Sequence, residues 1–334
     1  MTSNVTHEWT GMVVDHRTPV LIASMHFYED RTSARRDPAN VRIRGYVDSS
    51  PREVLLYIPH RQFPNVDSPS QRVPGGGAIG PLGEPFPVTF NPGSLRLFGP
   101  RVKIEEEQSD DDEVEHGPEV VNHIGFEPGW VTDADGEEIG YAHLFTIDDT
   151  DADTWIPIPD PTGFSVDDSV AFVQVMTFDD PTPVHARIAT SHPVTGRPGF
   201  HFRMEEWPGT DGRHGPEEVA YVILKQGLHA LDPEETRSLQ VGTTEPIAYL
   251  EDEEEENWAR VELDERLVHN NVVVTQSQTA NGLDPIVTRQ QYFGASSFDP
   301  TRGFVVRLQE AESQGEHENE EVVGYVAIGS RLGP

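Results

Sequence analysis

The sequence predicts an all-β chain: three tandem antiparallel β-sandwich domains, the first with a long Pro/Gly-rich insertion. Two observations carry this. Apolar runs of four to seven residues, rich in Val, Ile, Phe and Tyr, alternate with polar residues and are broken by turn residues about every ten positions, as half-buried strands require. An ordered set of motifs also occurs three times, at a spacing of 98 residues from His116 to His214 and 103 from His214 to His317. A period that long is the size of a domain, not of a solenoid repeat.

The first copy is assigned to residues 1–129. It keeps the motif order in Trp9, Pro19–Ile22, Pro38 with Arg42, Val102–Glu106 and His116–Val120. From Arg42 to Glu106 it spans 64 residues, against 19 from Arg187 to Glu206 and 21 from Arg289 to Glu310, so an insertion lies at about 52–95. The insertion contains Pro74–Pro87, whose glycines and prolines cannot hold a regular ladder; it reads as a mobile loop or a docking arm. The second copy, 130–238, runs through Trp155, Val170–Thr177, Pro183 with Arg187, Gly199–Glu206, His214 with Glu217, and Tyr221–Leu224. The third, 239–334, runs through Trp258, Val272–Thr279, Pro285 with Arg289, Gly303–Glu310, His317 with Glu320, and Tyr325–Ile328. In all three, Pro precedes Arg by four and His precedes Glu by three. No amphipathic helix stands out; Pro233–Leu239 offers one turn between copies.

Composition narrows the setting. Asp and Glu number 58 against 24 Lys and Arg, a formal charge of −34, and only Lys103 and Lys225 are lysines. Acid-rich and lysine-poor together indicate a halophilic origin. At molar ionic strength the Debye length falls to about 3 Å and such self-repulsion is screened. The same charge argues against nucleic acid and anionic membranes as partners. The absence of cysteine excludes disulfides, thiolate metal sites and thiol nucleophiles. No stretch has the roughly 18 apolar residues of a membrane span, and Met1–Trp9 lacks a basic leader, so an ordinary cleaved signal is not expected.

The Trp strand, the Val-rich strand, the Gly-Phe strand and the closing Val323–Ile328 segment of the third copy resemble the H-type lectin family. The resemblance covers nearly all of 240–334, most of 130–238 and the two ends of the first copy. It implies short β-sandwiches that assemble as trimers and bind sugars at loops near protomer boundaries. Three copies in one chain would then imitate that trimer internally, or form a rod that itself trimerises.

Recurring polar residues are the expected ligand contacts. Arg42, Arg187 and Arg289 suit vicinal hydroxyls or a sugar carboxylate, or else pair with nearby acidic loops. His116, His214 and His317 read as sugar contacts, as His-plus-carboxylate metal ligands, or as loop-closing residues bonded to backbone. Trp207 reads as a sugar-stacking platform, since an apolar ring face can cover the C–H face of a pyranose, but its counterpart is Ala311, so that site would not be threefold. Trp9, Trp155 and Trp258 each open a strand and read as core. Asp149, Asp151 and Asp153, like Asp133, Asp135 and Glu137, alternate and either offer oxygens to Ca²⁺ or form a solvated face; neither set has the EF-hand spacing. Glu251–Glu256 reads as a solvated charge run.

Gly-x-Ser-x-Gly, P-loop, dinucleotide and His-Glu-x-x-His signatures are missing, and repetition suits multivalent binding or building better than one catalytic centre. The expectation is a non-enzymatic virion surface protein (spike, fibre or turret) of a halophilic archaeal virus, mediating host attachment. Its partners would be host surface glycan or glycoprotein and other virion proteins, as a homo-oligomer and in particular a trimer. A purely structural virion component, a halophile carbohydrate-binding protein and a depolymerase are the alternatives.

Overall fold

The computed structural model describes residues 6–7, 20–26, 39–44, 54–56, 86–88, 101–106, 120–151, 154–249, 258–267, 269–282, 284–293, 303–311, 313 and 317–331. Among them the structure is all-β, with several small sheets in a propeller-like arrangement and no α-helix; a single 3₁₀ turn lies at Glu265–Leu267. Among the described residues, pairing is antiparallel except between Val20–His26 and Ile286–Phe293.

The sequence repeat reappears as a repeat of strand pairing. In each copy an inner strand pairs with a closing strand: Val20–His26 with Val120–Phe126, Ser169–Val175 with Glu217–Lys225, and His269–Ser277 with Val323–Ser330. In each copy an arginine strand pairs with a partner strand: Ala39–Arg44 with Arg101–Glu106, Val184–Ser191 with Pro198–Glu206, and Ile286–Phe293 with Gly303–Glu310. The registers correspond, since Arg42 faces Lys103, Arg187 faces Arg203 and Arg289 faces Arg307.

Period two explains the layers. In the second copy Val219, Tyr221 and Ile223 of the closing strand share a core with Ile188, Phe202 and Met204 of the other sheet, so the two sheets pack face to face. Tyr325 and Ala327 meet Phe304, Val306 and Leu308 likewise in the third. The intervening residues Ala220, Val222 and Leu224 turn the other way. They join Val20, Ile22, Phe172, Val274 and Val326 in an apolar cluster drawn from all three copies. Inner and closing strands are therefore buried on both faces, which is why Ser169–Val175 shows no exposed position. Complete burial of a Val or Ile side chain contributes about 1.5–3 kcal/mol, so the shared cluster joins the copies strongly.

The copies are not beads on a string. Met25 and His26 pair in parallel with Arg289 and Gln290, so one five-stranded sheet contains strands of the third copy and the first. The strand Arg237–Thr243 straddles the expected boundary at 238, and Gly227–Ala230 already belongs to the third copy's sheet. The turn expected at Pro233–Leu239 is a loop tied by Asp232, which accepts from the Thr236 amide at 2.7 Å, and its last residues are strand. Of the insertion, Val54–Leu56 pairs with Phe86–Val88; most of its Gly/Pro-rich stretch, like Trp9, His116 and Glu251–Glu256, lies outside the described residues.

Candidate functional site

The Pro-x-x-x-Arg motif places a guanidinium on the sheet face that looks towards the next copy, and for Arg42 and Arg187 that copy answers with a cup of carbonyls and a carboxylate. Arg42 is 1% exposed. Its Nε donates to the Thr177 carbonyl at 3.1 Å, Nη1 to Thr182 O at 2.8 Å, and Nη2 to Asp180 O at 2.8 Å and to the Glu217 carboxylate. Arg187 enters the third copy in the same way, through Thr279 O at 3.0 Å, Asp284 O at 3.3 Å and Glu321 Oε1 at 2.7 Å. Five fixed donors in a plane suit such a mixed carbonyl and carboxylate cup better than an ammonium would. Arg289, fully buried, donates to Gln309 Oε1 at 2.7 Å and reaches Met25 of the first copy at 3.4 Å. The hand-off therefore runs first to second and second to third, and from third to first the contact shown is that of Arg289 with Met25.

Behind each cup stands a histidine. His214 Nδ1 lies 3.1 Å from Glu206 and Nε2 3.2 Å from Glu217, and Thr177 donates to the other Glu217 oxygen. His317 repeats this with Glu310 on Nδ1 and Glu321 on Nε2 at 3.2 Å, and Thr279 donates to Glu321. The carboxylate used is Glu321, four residues after His317, rather than Glu320 at the expected spacing of three. Glu320 is exposed while Glu321 is fully buried, so one extra residue has entered the third copy between the histidine and its acid.

These contacts set the protonation. Burial alone lowers the His317 pKa, but its bonds to Glu310 and Glu321 outweigh burial and hold it at about 9. His214 is raised by the same balance, with Glu217 and Glu206 winning over burial. Burial pushes Glu205 up, yet Arg187, His185 and Arg203 together pull it down to about 2. The joint is thus a dry array of ionised groups that neutralise one another, as buried charges require.

The remaining expected site residues are also placed by the fold. Trp207, expected to serve as an exposed stacking platform, is 2% exposed; its Nε1 donates to Asn40 of the first copy at 3.1 Å and its ring lies against His185. Trp155 and Trp258 are half-buried at the sheet edge and do not fill the core; each lies under a guanidinium, Arg203 at 5.2 Å and Arg307 at 5.1 Å. Asp149 and Asp151 are exposed and held by Arg213 at 3.0 and 3.3 Å, while Asp153 is outside the described residues. Asp133 closes a turn by accepting from the Asp135 and Glu137 amides. The residues that binding-site reasoning passed over are Thr177 and Thr279, Asp284, and the glutamines Gln174 and Gln276. These glutamines donate to Val41 O at 2.9 Å and Ala186 O at 2.8 Å, each the residue before the joining arginine. Their recurrence at matching places in two copies was the available signal. A cavity of about 70 Å³, lined by Ser24, Asn40, Gln174, His185, Gln276 and Thr288 among others, lies where the copies meet.

Comparison with protein-family models, with curated proteins and with solved structures returns no match.

Proposed function

We propose that this chain is a non-catalytic structural component of a virion surface, a spike, fibre or turret of a virus of halophilic archaea. In this reading three lectin-like sandwich units form a single-chain imitation of a trimer. The observation that carries the structural role is the use of the recurring polar residues. Arg42, Arg187 and Arg289 reach into the next copy, His214 and His317 hold the glutamates that receive Arg42 and Arg187, and Trp207 is sealed under Asn40. The acid-rich, lysine-poor composition supports work in brine.

A second reading, attachment to host glycan, draws on Trp130. It is 44% exposed and stands edge-on to Tyr141 at 5.4 Å, the arrangement of an aromatic surface that can cover a sugar ring. One measurement tests the virion assignment and a second decides between structure and attachment. Mass spectrometry of purified particles is expected to find the chain, and its presence only in uninfected cytosol would sink the virion assignment. Adsorption to halophile cells in molar salt, competed by free glycan and weakened by Trp130→Ala, would move the role from structure to attachment.

A further inference from the structure

Two cups built on one plan differ at one place. In the second copy Thr182 presents its carbonyl to Arg42; in the third, Asp284 stands there, presenting its carbonyl to Arg187 and adding a carboxylate. The partner of the histidine differs too. The second oxygen of Glu206 accepts the Gly212 amide at 3.2 Å, whereas Oε2 of Glu310, in a side chain only 4% exposed, has no hydrogen-bond partner. A buried carboxylate oxygen left without a donor is costly, on the order of a few kcal/mol, unless something positive sits beside it.

We propose that Asp284, Glu310 and His317 form a binding site for one divalent transition-metal cation of the zinc type, present in the third copy and lacking in the second. One ligand atom from each of the three lies within 4.8 Å of the others, and this is the one such group among the described residues. A pair of carboxylates with one imidazole is a mixed oxygen and nitrogen donor set, which suits Zn²⁺ or Mn²⁺; Ca²⁺ takes six to eight oxygens. The surroundings are those of a metal-binding histidine. The cation would displace the proton that Nδ1 shares with Glu310, and Nε2 would keep its own towards Glu321 at 3.2 Å, the carboxylate–histidine arrangement that orients a ligating ring. Glu321 is itself fixed by Thr279, by the Asn281 and Gly282 amides at 2.8 and 2.9 Å, and by Arg187. Asp284 is partly exposed, which gives the ion an entry path and leaves room for water as a further ligand. The ion would lock the third copy's cup around the second copy's arginine.

The test uses the full chain in molar KCl, stripped with chelator and titrated with Zn²⁺, Mn²⁺ or Ca²⁺ alone. One tightly held Zn²⁺ per chain is expected, with Ca²⁺ much weaker. Asp284→Asn, which keeps the backbone carbonyl that Arg187 uses, and Glu310→Gln are each expected to weaken Zn²⁺ binding by about tenfold or more. Asp149→Asn, at the exposed acid pair, is expected to leave it unchanged. Co²⁺ added to the wild-type chain gives a readout that needs no variant: intensified visible absorption is expected from a low-coordinate nitrogen and oxygen site. Failure to retain Zn²⁺, equal affinity in Asp284→Asn, loss in Asp149→Asn, or a Co²⁺ spectrum identical with the aqueous ion would each overturn the proposal.

Discussion

Replacing Arg187 by alanine opens one joint and leaves its acids behind. Arg187 is 1% exposed and Glu321 fully buried, and Glu205 lies 3.7 Å from the same guanidinium. Removing the cation takes one buried counter-charge from each carboxylate, leaving Glu205 to His185 and Arg203 and Glu321 to His317, Thr279 and two amides, and it frees the carbonyls of Thr279 and Asp284. Breaking a buried pair in this way costs about 3–5 kcal/mol, well above the roughly 0–1 kcal/mol of a surface pair such as Arg260–Glu262. The assay is denaturant unfolding in molar KCl followed by tryptophan fluorescence, where Trp207 sits beside the seam. Raising the salt further is expected to leave the loss in place, because ions do not reach a dry pair. The double variant Arg187→Leu with Glu321→Gln is expected to recover part of the loss, since no bare charge then remains on Glu321. A loss below about 1 kcal/mol for Arg187→Ala, or one erased by salt, would refute the claim that the arginines are buried joints.

The acid limb of stability should report Glu205. Its pKa is depressed from 4.5 to about 2, so its contribution is present above the unfolded value and is lost as pH falls towards 2. That contribution amounts to about 3 kcal/mol, and Glu205→Gln should flatten this limb of the pH–stability curve. The alkaline limb should report His214, whose pKa is raised: its contribution is complete below 6.5 and is lost as pH climbs through the folded value. Unfolding midpoints between about pH 6 and about pH 9 should fall in the wild type and fall less in His214→Asn. A Cβ at Gly282 would overlap the His317 ring, so Gly282→Ala should displace that ring and destabilise the third cup by about 1–3 kcal/mol, read as a shift of the His317 imidazole resonances together with a lower midpoint.

The sequence announced its strands because a period of two survives translation into a sheet: Phe200, Phe202 and Met204 all point into one core. It announced the repeat because Pro183–Arg187 and Pro285–Arg289 share both spacing and register. It did not announce the ring. Copies in a row and copies in a circle have the same motif order, and the distinction rests on contacts such as Thr275 N with Ser24 Oγ at 3.2 Å, 251 residues apart. Nor did it announce that the arginines are buried. An arginine on a strand normally ends in water, and only a cup assembled by another copy makes its burial affordable. The His317 spacing misled for a local reason: Glu320 and Glu321 are adjacent, and a shift of one residue on a strand turns a side chain to the opposite face.

The parallel pairing of Met25 with Arg289 has a consequence for how the molecule is made. Synthesis delivers the first copy long before the strand that completes its edge, so Val20–His26 waits through some 260 residues of elongation with one ladder open. Folding should therefore include a late, slow docking step between the first and third copies, the step at which an intermediate is most exposed to pairing with a neighbour. A population of molecules exchanging first copies at high concentration would be the natural by-product, and dilute refolding the natural remedy.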